Sequence, residues 1–489
     1  MSDEQRKLAA ALLRERAGAA AEIGRLFARH GYQLALVGGL VRDVFLGKQP
    51  TGDLDLTTDA APEQVLAIVR DWADRVWTIG IAFGTVGLRK GSSLFEVTTY
   101  RSERYDRTSR RPVVSYGRSL EEDLSRRDFT INAMAARLPD YELVDPFGGF
   151  DALQARVLRT PGRPRDSFSD DPLRILRAAR FAAKLGFTVA DEVRTAMTEQ
   201  ADRLEILPVE RITGELTKLM LTPDPARGID LLVQTDVADR VLPEVSKLRM
   251  EADEHHRHKD VYQHSLTVLR QAIALEPEYG LDDDLVVRLA ALLHDIGKPK
   301  TRSLLPDGRV AFHLHEVVGA KLTGRRLTAL RFPNDVVRDV SRLVELHLRF
   351  HGYGEGAWTD SAVRRYVRDA GPLLTRLHVL TRADCTTRNR AKAERLARAY
   401  AALERRIAEL SEQEELDSIR PELDGNDIMR ILRIPQGPLV GRAYRYLLEL
   451  RIADGELGLE QVTQELLRWA AGEGISVPEP GEAPEPGED

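Results

Sequence analysis

Apolar residues recur at three- and four-residue spacing from Pro172 to about Leu467, interrupted by proline and glycine punctuation at Pro208, at Pro223 with Pro225, and at Gly437 with Pro438. That period places them on one face of a helix, so the stretch can bury its apolar surface only by packing helix on helix. Strand signals lie ahead of it. Leu8 to Phe27 has helical spacing, Gln33 to Val37 reads as a short buried strand running into Gly38 and Gly39, Leu54 and Leu56 alternate with two aspartates, and Leu94 to Thr99 is a third strand-like run. The expected fold class is α+β, a small mixed sheet followed by a mostly α-helical remainder. A chain of 489 residues exceeds what one core supports. Its punctuation divides it into 1–150, a helical 151–240, 241–400, a helical 401–471 and a disordered acidic tail over 472–489.

Hydrophobic content of 43% and charged content of 30% match a globular, non-membrane class. With no long apolar run and no signal-peptide pattern at the start, the expected location is the cytoplasm. The lone Cys385 closes no intramolecular disulfide and sits in no CxxC pair, which argues against redox chemistry and cysteine-bound zinc. The net charge of −6 equals the acidic content of the tail, so the rest of the chain is neutral and leaves room for local basic patches.

Gly38 to Asp43 (GGLVRD) follows the first predicted strand. Glycines there let backbone N–H groups approach an anion with no Cβ in the way, although a plain strand-to-helix turn would use the same residues. Gly52-Asp53-Leu54-Asp55-Leu56 comes next. In a strand, residues i and i+2 share a face, so Asp53 and Asp55 would present two carboxylates side by side with leucines behind. Like charges so held require a cation, and carboxylate oxygens joined by substrate phosphates suit Mg²⁺. In a two-metal arrangement one ion serves the attacking 3′-oxygen and the other the triphosphate with its leaving pyrophosphate. Glu96, on the next strand, is the candidate third carboxylate, with a cross-strand ion pair as the other reading. Downstream, EEDLSRRDFTINAMA supplies Arg126, Arg127, Asp128 and Asn132. The guanidiniums offer forked donors for phosphate and Asp128 can accept from a ribose hydroxyl.

In this order and spacing, GGLVRD, GDLDL and RRDFTINAMA resemble the class II tRNA nucleotidyltransferases and bacterial poly(A) polymerases of the polymerase-beta superfamily. The likeness continues through Asp145 to Gly149 (DPFGG), Asp170-Asp171-Pro172-Leu173-Arg174 and Glu210-Arg211. It implies a nucleotidyltransferase head over 1–150 and a neck with a base-reading element over 151–240. It also implies that Asp53 and Asp55 hold the metals, that Gly38, Gly39, Arg42 and Arg127 handle triphosphate, and that Asp128 reads the ribose. The family's E-D-x-x-R element stands here as D-D-x-x-R, with the shorter Asp170 in first place. Asp171 and Arg174 are three apart, so a helix would set them on one face, one group accepting only and the other donating only. Cytosine and adenine each show an amino donor beside a ring-nitrogen acceptor, and uracil and guanine the opposite order. Such a pair selects C and A with no template, unless it is only a surface ion pair.

Arg101 to Arg118 is an arginine-rich stretch that reads either as a loop closing on substrate or RNA phosphate or as a merely mobile one. Further on, His264, the adjacent His294-Asp295 in LLHDIGKP, His315, His347 and Asp384 form an ordered H…HD…H…H…D set on predicted helices. This set resembles the HD phosphohydrolase superfamily and implies an HD domain over 241–400. By that resemblance His264, His294, Asp295 and Asp384 bind one divalent ion and His315 and His347 serve a second. The ligand types alone fit Mn, Fe, Ni, Zn or Mg. An inherited helical scaffold without activity is the other reading, and Lys298 either assists a phosphate or caps a helix end. Leu423 to Leu450 resembles the family's body, where tRNA would dock.

The expected function is therefore template-independent addition of C, C and A to the tRNA 3′ end from CTP and ATP, with an HD phosphohydrolase activity beside it. Two rivals share parts of the pattern, a poly(A) polymerase using ATP alone and an RNA-binding HD metal-dependent phosphohydrolase. The complete aspartate pair argues against the second, and the neutral-to-acidic C-terminus against a basic RNA-tethering tail.

Overall fold

The computed structural model describes residues 3–48, 53–81, 84–104, 113–117, 119–249, 261–307, 310–350, 358–385, 390–414 and 419–475. Gly52, the centre of the arginine-rich stretch at 105–112, and the tail beyond 475 lie outside the described residues. The chain divides into two compact units, Met1–Lys247 with Ala329–Phe332, and Leu248–Thr328 with Pro333–Asp489.

In the first unit, helices Asp3–Arg16 and Ala20–Arg29 precede the sheet. The helical run expected over Leu8 to Phe27 is broken between them at Gly18, a weak helix former. The strands are β1 (Leu34–Val37), β2 (Leu54–Thr58), β3 (Arg75–Trp77), β4 (Thr85–Lys90), β5 (Ser93–Thr99), β6 (Arg101–Arg104), β7 (Val113–Tyr116), β8 (Ala135–Arg137) and β9 (Glu142–Val144). Seven of them form a mixed sheet in the order β3-β4-β5-β2-β1-β8-β9, and β6 with β7 forms a separate ribbon. Only β2 and β5 run parallel within the large sheet. Every residue of β1 (LALV) is buried, as a central strand covered on both faces demands. β2 buries all but Asp55, and β5 buries Phe95, Val97 and Thr99 while leaving Glu96 out. The parallel register sets Asp55 against Glu96.

Helix Leu120–Ser125 starts at Ser119, whose hydroxyl accepts from the Glu122 N–H at 3.2 Å. Leu120 and Leu124 pack it on Ala35 and Val37 of β1, which carries the following Arg126–Asp128 segment to the end of that strand. Helix Leu173–Leu185 then packs among Val209–Met220 and Pro225–Gln234. Its approach is close because Gly228 has no side chain; a Cβ there would sit 2.8 Å from the Ala179 carbonyl oxygen.

The second unit is built from helices Val261–Leu275, Leu285–Leu293, His315–Ala329, Asn334–Leu346, Asp360–Ala370, Leu374–Asp384 and Arg390–Glu414. Three more, Gly425–Leu432, Pro438–Asp454 and Leu459–Gly472, gather around Leu423, Ile428, Leu432, Leu447 and Leu466. The mostly helical remainder also contains two short strand pairs, Val157–Leu158 with Thr188–Val189 and a hairpin of Arg302–Leu304 with Val310–Phe312. Two- and three-residue strands are too short to show an alternation against a helical background. Among the described residues no helix is long and apolar enough to cross a membrane.

Candidate functional sites

After β1 the chain turns at Gly38 with φ +74° and ψ −135°, a conformation that side chains rarely adopt. A Cβ at this position would lie 3.1 Å from Arg127 Nη1 and 3.9 Å from Asp55 Oδ2. Bare backbone, guanidinium and carboxylate thus meet at one spot. Asp53 is exposed just before β2, and Glu96 stands beside Asp55 in register. Desolvation raises the Asp55 carboxyl above its ordinary range, Glu96 and Asp53 raise it further, and Arg127 opposes them. Three neighbouring carboxylates facing one guanidinium are short of positive charge, and hard oxygen donors of this kind fit a divalent cation. Arg127 is held from behind by Asp123 at 3.3 Å.

Gly38→Ala is expected to cost about 1–3 kcal/mol in backbone strain and to push Arg127 off the turn. Equilibrium denaturation of the first unit's transition checks the cost; a variant as stable as the parent chain would contradict it.

Arg42 and Asn132 are not brought to an open surface. Arg42 is only 3% exposed; its Nε and Nη2 donate to Asp43 at 2.8 and 2.9 Å and its Nη1 to Asn132 Oδ1 at 2.6 Å. Gly39 lies beneath that guanidinium, 3.3 Å from Nη2 to its ideal Cβ position. Asn132 Nδ2 in turn donates to Asp128 Oδ1 at 2.9 Å. Asp128 also accepts from the Phe129 N–H at 2.8 Å and from Arg177 Nε at 2.7 Å. Burial would raise this carboxyl, but Arg177 and Asn132 outweigh it and hold the carboxyl below its usual range. Read from sequence as a ribose acceptor, Asp128 is here the centre of an internal network. Arg177 carried no role in the sequence reading; its signal was its place one turn beyond Arg174.

The shared helical face expected for Asp171 and Arg174 is not what forms. Asp170 ends helix Pro164–Asp170, and Asp171 follows in extended backbone with φ −140° and ψ 98°, because Pro172 disfavours helical geometry before it. Asp171 faces Arg211 of the next helix layer, with Nη2 3.3 Å from each carboxylate oxygen. Arg174 donates instead to Ser167 Oγ at 2.8 Å and to the carbonyl of Arg126. Both side chains remain partly exposed. Glu210-Arg211 had been noted only as part of a motif; its pairing with Asp171 needed the fold.

In the second unit six side chains converge. His264 comes from within its helix, His294 and His347 cap the ends of theirs, Asp295 follows His294, His315 opens a helix and Asp384 closes one. His264 Nε2 lies 2.9 Å from Asp384 Oδ1 and 3.3 Å from His294 Nε2. Asp295 Oδ2 lies 3.2 Å from His294 Nε2 and 3.6 Å from His264 Nε2, whereas its Oδ1 faces His315 Nε2 at 3.4 Å. The ligand atoms fall into two groups, His264, His294 and Asp384, and Asp295, His315 and His347. Asp295 therefore stands between them rather than wholly within the first.

The Nδ1 atoms of His294, His315 and His347 meet the carbonyls of Ala291, Phe312 and Val344 at 2.9, 2.9 and 2.7 Å. A carbonyl only accepts, so Nδ1 carries a proton in each of these rings and Nε2 is the atom turned toward the centre. Asp295 Oδ1, His315 Nε2 and His347 Nε2 are buried with no hydrogen-bond partner, which a cation between them would satisfy. Burial lowers His294, but Asp295 and Asp384 overcome it and raise the ring to about 10; burial and His294 push His347 down to about 3. Lys298 Nζ is 2.7 Å from Asp295 Oδ2. The set opens on a cleft of about 550 Å³ edged by the hairpin residues Val310 to Phe312.

Residues 34–159 match the poly A polymerase head domain, residues 186–248 the probable RNA and SrmB-binding site of polymerase A, and residues 261–389 the HD domain. An A-adding tRNA nucleotidyltransferase of Deinococcus radiodurans is 38% identical over 361 residues, 72% of this chain and 80% of that protein. A CCA-adding enzyme of Anoxybacillus flavithermus is 43% identical over 225 residues, 46% of this chain and 55% of that protein. The chain thus spans about half the length of the CCA-adding relatives it matches in sequence. Among solved structures, the CCA-adding enzyme of Bacillus stearothermophilus in complex with CTP superposes with a TM-score of 0.63 at 26% identity, covering 93% of this chain and 98% of that one. By its sequence, its fold and its order of domains, this chain belongs to the tRNA nucleotidyltransferase and poly(A) polymerase family, with an HD domain in its second half.

Proposed function

We propose that the chain adds C, C and A to the 3′ end of tRNA from CTP and ATP without a nucleic-acid template. The observation that carries this reading is the meeting of Asp53, Asp55 and Glu96 with the Gly38 turn and Arg127. Asp53 and Asp55 would hold the Mg²⁺ ions, with Glu96 as a third acid, and ions held there would supply positive charge for the attacking 3′-oxygen and for the triphosphate with its leaving pyrophosphate. Arg127 donates to the phosphates over a glycine backbone that leaves room for them, and Arg126 adds positive charge beside it. Arg42 and Asn132 brace this turn from within. Asp171 and Arg174 meet the Watson–Crick edge of the incoming base, with Arg211 steadying Asp171 and Asp170 ending the helix before it. The reaction belongs in the cytoplasm with its tRNA substrate.

A second reading, addition of the terminal A alone, is favoured by the A-adding relative, which matches over most of its length. Incubation with tRNA ending before the first C, before the second C and before A, with CTP and ATP supplied separately and together, separates the two. Extension of all three substrates supports CCA addition, extension of the last alone supports A addition, and a long A tract would mark a poly(A) polymerase. In the second unit the six-ligand set would hold two divalent ions, which would supply the activated water and the charge for hydrolysis of a phosphoester, with the Lys298 ammonium beside Asp295 available to a phosphate oxygen.

A further inference from the structure

The Asp128 carboxylate is filled. Oδ1 receives the Phe129 N–H and Asn132 Nδ2, and Oδ2 receives Arg177 Nε at 2.7 Å, with Arg177 Nη2 in ion-pair contact with the same oxygen at 2.5 Å. Three N–H donors and one further guanidinium nitrogen thus surround the carboxylate. From Asp128 the bonds continue through Asn132 to Arg42 and Asp43, in the helix Gly39–Phe45 that follows the Gly38 turn. On the other side Arg177 lies one turn along from Arg174 in helix Leu173–Leu185. A continuous polar chain therefore joins the glycine turn to the helix that carries Arg174.

Arg174 also reaches the same segment, through the carbonyl of Arg126 and through Ser167. Those contacts use Nη1 and one N–H of Nη2, so of its five N–H donors Arg174 keeps others for a base edge while it stays tied to this segment. Arg177 grips a carboxylate that is 6% exposed while its own side chain is 33% exposed, so it sits at the rim of the network with Asp128 as a fixed anchor. A charge-assisted guanidinium–carboxylate contact of this kind is short and strong.

We propose that Arg177 is a positioning residue for nucleotide choice: its clasp on Asp128 keeps the helix bearing Arg174 in register with the glycine turn while Arg174 meets the base. This rests on the reading of Asp171 and Arg174 as the base-reading pair. Arg177 itself touches no nucleotide. The mutual stabilisation of the charged pair, with Asp128 lowered and Arg177 raised chiefly by each other against burial, agrees with a clasp that persists across neutral pH.

The test uses the full chain and tRNA substrates ending before C and before A, with kcat and KM measured for all four nucleotides in Arg177→Met, Arg177→Lys, Asp128→Asn and the Arg177→Met/Asp128→Asn double variant. Arg177→Met is expected to lower the CTP-over-UTP and ATP-over-GTP ratios of kcat/KM by about tenfold, chiefly through higher KM for CTP and ATP. Arg177→Lys, which keeps the charge and one donor toward Asp128, should recover part of the ratio and also serves if the methionine variant is poorly folded. The double variant should be no worse than the more affected single one, as for two ends of one contact. Unchanged ratios in both Arg177 variants, or equal losses for all four nucleotides, would mean a structural clasp only and overturn the proposal. Arg174→Ala in the same assay keeps the two claims apart. If it lowers the ratios and the Arg177 variants do not, base reading stands and the positioning role falls; if it leaves them unchanged, base reading itself has failed.

Discussion

Asp55→Ala is expected to reduce nucleotide addition by at least about 10³-fold, the scale of removing a group that organises charge at the reacting atoms, with Asp53→Ala close behind. The same change should leave the metal-free fold intact or slightly firmer. Asp55 has its carboxyl raised by desolvation and by Glu96 and Asp53, so its ionised form is disfavoured in the folded chain. Linkage then gives the sign: a carboxyl raised on folding favours the folded state when protonated, and that advantage is lost as pH rises through its unfolded and then its folded pKa. At neutral pH the native aspartate is therefore a small liability that a cation removes. Thermal melting with and without Mg²⁺ reads this directly. Wild type should gain stability on adding the ion, and Asp55→Ala should gain less from a starting point no lower. Near-normal addition by either aspartate variant would sink the assignment, and equal Mg²⁺ responses would remove the ion from this site.

Asp295→Ala should disable the second unit's metal set as a whole. Its Oδ2 faces His264 and His294 while its Oδ1 faces His315, so one substitution touches both ligand groups. The loss of metal affinity should exceed the roughly 10–100-fold that follows loss of a mere supporting partner. Without metal the variant should also be destabilised by about 3–5 kcal/mol, because a buried ion pair loses one side. Asp295 is 1% exposed, its carboxyl is held well below the usual range by His294 and His315 despite burial, and Lys298 depends on it at 2.7 Å. Elemental analysis of the purified chain, unfolding of the second unit and metal-dependent phosphoesterase assays should all move together, while nucleotide addition remains. Full metal content in Asp295→Ala, or none in wild type, would discard the second activity.

These expectations divide according to how local their causes are. Asp53 and Asp55 stood out in sequence because strand geometry sets residues i and i+2 on one face, although β2 begins at Leu54 and Asp53 precedes it. The six candidate ligands of the second unit stood out only through the resemblance of their ordered set to the HD superfamily; that their side chains converge is a product of the fold. Missed strands such as β3, β8 and β9 are three residues long, too short for a pattern to rise above their surroundings.

What the sequence by itself determined was the division of the chain into a small mixed-sheet part and a helical remainder, and the types of side chain available for the proposed chemistry. Partnership among them was decided only by the tertiary structure. Asp171 does not share a helix face with Arg174, because Pro172 extends the backbone between them and leaves Asp171 to Arg211. Arg42, Asn132 and Asp128 turn inward, tied to Arg177 from a helix some forty-five or more residues away in the chain. Asp295 divides its two oxygens between ligand groups that no spacing rule could apportion. The physical reason is common to all three: a side chain's type is set by the sequence, but a buried polar group must spend every donor and acceptor it has, and which neighbour satisfies it depends on how distant segments pack.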